Sequence, residues 1–385
     1  MTVSKLNKNL PKLIALKLVL VVLWIYLFCE YFYRSSVRFE RKLLEVEKVV
    51  VTEEVSTMDP NLRFTYDKNS IKCYRYPGKT LTDISEVEVR LGKSIFFHET
   101  SCSSYINDKI VINRRQACAV ESAALLNPNL DVYLTFTSPG VFKFEDTESD
   151  RFLKALLGYS NVRINHLNYE KYTKGTPVEE LYSKGAIEAS HYAMSHASDI
   201  LRYLTLWKYG GIYLDLDVVV IKNLESLPPN FSGCQWRNQV AAGILGFEPI
   251  GAEGHKLATE CLMDLKEKFN GTIWGHNGPG VVTRMAKKHC QVEKHNITDL
   301  CNRTCDNFHI FSTEWFYPIP WRSWKQFFQE KDTGEVMTAT ENSYIIHVWN
   351  KFSVLTKLPI QSLSAYATFA KKYCPKVFQQ CDIFF

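Results

Sequence analysis

Two aspartates separated by one residue, Asp215 and Asp217, interrupt an otherwise apolar run from Ile212 to Ile221. Read as one continuous strand, the run places both carboxylates on one face and Leu216 on the other. Two such groups repel each other and resist burial. A hard divalent cation relieves both costs, because Mg²⁺ and Mn²⁺ take oxygen ligands from one or two carboxylates together with phosphate. Upstream, Asp199 and Arg202 lie three residues apart on a predicted helix and point the same way. Ile200, Leu201, Leu204 and Trp207 give that helix an apolar face, and Gly210-Gly211 ends it. Taken alone, D-x-D usually marks a solvated turn, and Asp199 with Arg202 reads as a structural ion pair. Together, an apolar strand, a preceding Gly-Gly and an acid-plus-arginine helix at fixed offsets favour metal binding.

The elements that must hold these groups alternate in type. Ser94–Phe97 reads as a buried strand, Arg114–Asn127 as a helix and Asp131–Thr137 as a strand. Phe152–Leu157 reads as helix and Val162–Leu167 as strand. Strands alternating with helices indicate an α/β fold with a largely parallel sheet. No internal repeat, low-complexity tract or G-x-G-x-x-G is present.

With these elements in place the sequence resembles a known family. The run S-D-x-x-R-Y-x-x-L-x-x-Y-G-G-I-Y-x-D-x-D, Ser198 to Asp217, is similar to the D-x-D sugar-nucleotide glycosyltransferases. Within them the resemblance is to the α1,4-glycosyltransferases, a family of 4-α-galactosyl- and α1,4-N-acetylglucosaminyltransferases. Ile95–Ser101, Cys118–Ala124, Gly278–Arg284 and His347–Lys351 extend it, so that it covers roughly residues 93–376. The resemblance implies a GT-A-like fold with a mixed, mostly parallel sheet, and a retaining transfer from a UDP-sugar assisted by Mn²⁺ or Mg²⁺. It implies that Asp217 and His347 ligate the metal, with Asp215 touching the metal and the donor's ribose or sugar. Asp199 and Arg202 would hold the donor sugar's hydroxyls, Lys351 would reach the diphosphate, and Phe96, Phe97 and Thr100 would border the uracil pocket. Gln239 is the candidate for steadying the oxocarbenium-like centre. Ala242 departs from the family, whose members often carry Asn before the glycine matching Gly243. Galactose and an N-acetylhexosamine both stay open as the donor sugar, with a glycolipid as the acceptor. A homodimer is allowed.

Other residues carry plainer readings beside these. His347 lies in a β-rich run, where a histidine is usually a satisfied core residue; the resemblance reverses that. Gly275–Gly280 reads as a tight Gly-Pro loop, or as part of the site's mouth. Trp315, Phe316, Tyr317, Trp321 and Trp324 read mostly as core, with one or two rings able to stack on a sugar. Cys290, Cys301, Cys305 and His309 mimic a zinc cluster, but the sequons Asn296 and Asn302 lie among them and disulfides fit better. Two rival functions are an aspartyl phosphatase with Asp215 as nucleophile and a catalytically inactive, anchored glycan or UDP-sugar binder.

The chain has 385 residues and a net charge of +5. Lys5, Lys8, Lys12, Lys17 and Arg34 against Glu30 put +4 of this in residues 1–34, leaving +1 for the rest. A nucleic-acid binder needs a basic surface, so that class is set aside. Leu13–Tyr33 supplies 21 mostly apolar residues, and a bilayer-spanning helix needs about 17–25. Its bulky exit through Phe28–Arg34 argues against a cleaved signal peptide. Sequons at Asn230, Asn270, Asn296 and Asn302, and ten cysteines beyond Cys29, place the rest of the chain in an oxidising lumen. The expected layout is a cytoplasmic tail (1–12), a signal anchor (13–33), a stem (34–90) and a luminal catalytic body (91–385) whose start falls between Cys73 and Leu91. It is that of a single-pass type II protein, and the family resemblance implies the Golgi membrane.

Overall fold

The computed structural model describes residues 30, 69–236, 239–292 and 300–385. The chain divides into two units, residues 1–49 and 50–385, and the strands, helices and cleft all belong to the second. The expected tail and anchor, and the stem up to residue 68, lie outside the described residues apart from Glu30. Among the described residues no helix is long and apolar enough to cross a membrane.

Ten strands are described: β1 (Ser94–Glu99), β2 (Asp131–Phe136), β3 (Val162–His166), β4 (Gly211–Leu214), β5 (Val218–Val220), β6 (Phe231–Trp236), β7 (Gln239–Phe247), β8 (Arg303–Cys305), β9 (Phe308–Phe311) and β10 (Ile345–His347). Eight of them form one sheet in the order β3-β2-β1-β4-β7-β6-β9-β8. The pairs β3–β2, β2–β1, β1–β4 and β6–β9 are parallel. The pairs β4–β7, β7–β6 and β9–β8 are antiparallel, so the sheet is mixed and mostly parallel, as expected.

Both faces are covered, and the alternation along β1 shows it. Ile95 and Phe97 enter one core with α1 (Arg114–Leu126), α2 (Glu148–Leu157) and α6 (Ala365–Tyr373). Phe96 enters the other with α3 (Ala193–Tyr209), α4 (Glu253–Lys268) and α5 (Pro279–His289). Helix starts follow local chemistry. Asn113 accepts from the amides of Arg115 and Gln116 while the Gln116 side chain accepts from the Asn113 amide, closing a capping box on α1. Gly210 and Gly211 end α3 with φ of 63° and 92°, and a side chain on Gly211 would strike the Ser94 carbonyl.

Four expectations change. First, Ile212–Ile221 is not one strand. β4 stays in the large sheet, while β5 leaves it and pairs antiparallel with β10. Asp215-Leu216-Asp217 is the turn between them, closed by Val218 N–H donating to the Asp215 carbonyl at 3.2 Å. Both flanks are buried, so hydrophobicity continues across a bend that it does not reveal. Second, part of the expected stem is packed into the body: Ile71, Cys73, Tyr74, Leu81 and Ile84 are buried, and Cys73 bonds Cys102. Third, the ten cysteines do not all pair. Cys118–Cys374, Cys234–Cys301 and Cys290–Cys305 join Cys73–Cys102, which disposes of the zinc-like cluster, but Cys261 and Cys381 are buried thiols. Fourth, the Asn230 sequon is internal. Its amide donates to Glu248 Oε2 at 2.7 Å and accepts from the Glu248 N–H at 2.9 Å, leaving no room for a glycan.

Candidate active site

The turn after β4 presents Asp215 and Asp217, and the register of β10 against β5 sets His347 opposite Val218, beside them. His347 Nε2 lies 3.2 Å from Asp217 Oδ1 and 3.7 Å from Asp215 Oδ2. The three prospective ligand atoms all fall within 4.8 Å of one another. Each carboxylate has its other oxygen tied down. Asp215 Oδ1 accepts from Tyr213 Oη at 2.6 Å and meets Arg202 Nη1 at 3.2 Å. Asp217 Oδ2 accepts from the Asn350 N–H at 2.7 Å. Opposite them stands Gly243, where a Cβ would come within 2.8 Å of Asp215 Oδ2, 3.0 Å of Tyr317 Oη and 3.2 Å of His347 Cδ2. Tyr317 Oη is buried there with no hydrogen-bond partner.

The electrostatics follow from this crowding. Burial raises the Asp215 carboxyl, but Arg202, His347 and Tyr213 outweigh it and hold it at about 2. Asp217 is pushed up by burial and by the Asp215 charge, with His347 opposing. Burial disfavours the His347 imidazolium, yet the two carboxylates win and raise its pKa. The Trp349 N–H lies 3.3 Å from Nδ1, and Nε2 is turned toward the two carboxylates.

Helix α3 supplies the next layer. Arg202 Nη1 donates to the Ala242 carbonyl at 2.7 Å, and Nη2 meets Asp199 Oδ1 at 3.1 Å and Ser198 Oγ at 3.3 Å. Its Nε is buried without a partner. Burial lifts the Asp199 carboxyl to about 7, against the pull of Arg202 and with help from Asp215. The Gly275–Gly280 loop closes on this pair: a side chain on Gly278 would collide with Asp199, and Tyr203 Oη donates to the Gly278 carbonyl at 2.7 Å.

These groups line one cleft with a cavity of about 510 Å³, together with Gln239, Lys351, Thr100, Trp274, Trp321, Trp349 and Phe352. An adjoining compartment of about 440 Å³ shares Thr100, Asp215 and Asp217 and runs on to His98, Glu99 and Gln116. The structure thus brings together Asp199, Arg202, Asp215, Asp217, Gln239, His347, Lys351 and Thr100. It does not bring in Phe96 or Phe97. Both lie in a strand covered on two faces, and Phe96 stacks on Tyr133 and Tyr209 at 5.4 and 5.7 Å. Only the C-terminal end of β1 opens into the cleft, as expected for a sheet with parallel central strands. There His98 is spent on Thr135 and Thr205, burial lowering its pKa to about 3. Glu99 Oε1 accepts from the Ser101 N–H, Oε2 has no partner, and burial raises the carboxyl to about 7. Of the aromatic cluster, Tyr317 and Trp321 reach the cleft, while Trp315, Phe316 and Trp324 pack into the core. Lys351 Nζ rests 3.3 Å from the Trp274 ring centroid. Glu99 and Trp274 had no signal of their own in the sequence; one sits at the end of β1 and the other in a loop, and each gained meaning only once folded.

Residues 113–232 match the family described as the glycosyltransferase sugar-binding region containing the DXD motif, and residues 250–381 the α1,4-glycosyltransferase conserved region. The rat lactosylceramide 4-alpha-galactosyltransferase is 34% identical over 73% of this chain and 74% of its own. The chain belongs to the α1,4-glycosyltransferases. Another member, the human alpha-1,4-N-acetylglucosaminyltransferase, is 29% identical over 68% of this chain and 75% of its own. Among solved structures, the PaToxG glycosyltransferase aligns with a TM-score of 0.39 at 15% identity, over 69% of this chain and 83% of its own. The first family region of this α1,4-glycosyltransferase holds Asp199, Arg202, Asp215 and Asp217, and the second holds Trp274, His347 and Lys351. Membership sets aside the aspartyl-phosphatase reading.

Proposed function

We propose that this α1,4-glycosyltransferase has a GT-A-like catalytic body and moves galactose or an N-acetylhexosamine from a UDP-sugar to the terminal sugar of a glycosphingolipid, with retention and with Mn²⁺ or Mg²⁺. The observation that carries the reading is the convergence of Asp215, Asp217 and His347, each carboxylate fixed through one oxygen and turned toward His347 with the other. Two hard oxygens and one imidazole nitrogen fit a divalent cation of this class, and the missing side chain at Gly243 leaves it space. Bound there, the cation neutralises charge on the leaving diphosphate.

The protein's own groups do the rest. The Lys351 ammonium, lifted from the Trp274 face, adds a positive charge toward the diphosphate. Asp199 offers an acceptor and Arg202 Nε a free donor for hydroxyls of the donor sugar, and Tyr317 Oη adds another. Thr100 and Glu99, at the end of β1, face the uridine side. A double-displacement route needs one further carboxylate free to attack the anomeric carbon. In the cleft Asp215 and Asp217 would hold the cation, and Asp199 is bound to Arg202. This supports front-face transfer: the acceptor hydroxyl attacks the anomeric carbon from the side that UDP leaves, and the departing phosphate oxygen takes its proton. Gln239 would steady the positive charge between them. The four disulfides suit an oxidising lumen, and with the expected anchor they support a type II Golgi enzyme.

The test is UDP release by the full chain with Mn²⁺ and UDP-galactose, UDP-N-acetylgalactosamine or UDP-N-acetylglucosamine, each with and without a neutral glycolipid panel. Release that needs one donor, an acceptor and the metal is expected. A folded protein that binds UDP-sugar without any turnover would replace the reading with that of an inactive binder.

A further inference from the structure

The outer lip of the cleft is built unlike its floor. Trp236, Trp274, Trp321 and Phe352 are 41, 40, 36 and 41% exposed. Two cations link them into one strip. Arg322 lies over the rings of Trp236 and Trp321, at 5.4 and 4.9 Å. Trp321 stacks on Phe352 at 5.4 Å. Lys351 lies over Phe352 and Trp274, at 6.0 and 3.3 Å. Neither Arg322 nor Lys351 pairs with a carboxylate among the described residues. Three residues beyond Phe352, Leu355 is 90% exposed.

We infer that this strip is a membrane-docking surface, which seats the mouth of the cleft on the headgroup layer of a phospholipid bilayer. Exposed tryptophans flanking a cation that has no acidic partner are what such a layer accommodates: rings at the level of the glycerol, and the Arg322 guanidinium on lipid phosphates. A sugar platform alone explains less. One pyranose covers about one ring face, needs no cation, and gives no reason to expose an aliphatic Leu355. The inference rests on the proposed glycolipid acceptor only for its purpose, since docking would carry the cleft to a headgroup held near the bilayer.

The full chain carrying Trp24→Phe, which removes the tryptophan of the expected anchor, is placed in phosphatidylcholine nanodiscs containing phosphatidylserine. Tryptophan emission is compared with plain and with brominated acyl chains. Quenching that falls when Trp321→Phe or Trp236→Phe is added is expected. Absence of quenching in the Trp24→Phe protein overturns the inference, whatever the acceptor is. Quenching without glycolipid turnover would keep the docking surface and defeat the acceptor reading. As a second measure, Leu355→Asp should lower kcat/KM roughly tenfold for bilayer-embedded glycolipid and leave turnover of the free headgroup oligosaccharide unchanged. Equal loss on both substrates would make the strip a sugar platform and overturn docking.

Discussion

Two buried acid–base pairs in this body are built to opposite ends. Lys109 and Asp150 lie beneath the start of α2, and Asp150 is fully satisfied: it accepts from the amides of Glu145 and Thr147 at 2.8 and 2.9 Å and meets Lys109 Nζ at 3.2 Å. Burial opposes its charge, but those bonds prevail and hold its carboxyl below the ordinary value. Asp199 and Arg202 are as deeply buried, yet Asp199 is pushed up to about 7 and Arg202 Nε has no partner. A buried polar group left short costs about 1–3 kcal/mol, so such a shortfall persists where something else is to fill it. The first pair holds the fold together; on the proposed reading, the second is left for the donor sugar to complete.

This contrast can be broken at several points. Asp217→Ala should cut turnover on the order of 10³-fold or more while thermal unfolding stays near that of the parent, because the carboxylate serves the site and not the core. Turnover within tenfold of the parent would end the metal-site assignment. Lys109→Met should do the reverse: it strands the Asp150 charge and costs about 3–5 kcal/mol in denaturant unfolding, with turnover per folded molecule preserved. Asp199→Asn should lower kcat/KM roughly 100-fold with the fold intact, since the amide replaces a carboxyl that is half protonated near pH 7. Unchanged kinetics would make Asp199 a structural partner of Arg202. The smallest effect concerns Glu99. Folded, it keeps its proton up to about pH 7, and unfolded it releases it near its ordinary 4.5. It therefore contributes stability below about pH 4.5 that is lost as pH rises through about 7. Glu99→Gln should flatten that part of the stability–pH curve, and an identical slope would show the group to be solvated.

The same contrast explains what the sequence could disclose. Asp199, Arg202, Asp215 and Asp217 were legible because charges stand out at fixed offsets in apolar segments. The sheet was legible because buried strands and amphipathic helices alternate. His347 was legible only through family resemblance, since its place depends on β10 pairing with β5, and nothing local encodes that. The bend at Asp215–Asp217 was hidden because its flanks are equally apolar. Phe96 and Phe97 misled because adjacent residues of a doubly covered strand both read as site-facing until the two cores are seen. Gly243 works by what it lacks, and Tyr317 by an unmet hydroxyl; both properties exist only across space. Asn230 shows the converse, a sequon whose chemistry is sound and whose burial is not written in its motif.

The pairing of β5 with β10 has a consequence for how the enzyme comes into being. Asn350, which fixes Asp217, follows it by 133 residues, and Cys374, which staples α6 to α1 through Cys118, comes 256 residues after its partner. A ribosome delivers the aspartate pair long before the histidine. On the proposed reading, a nascent chain carries the two carboxylates of the metal site before the imidazole that would complete it.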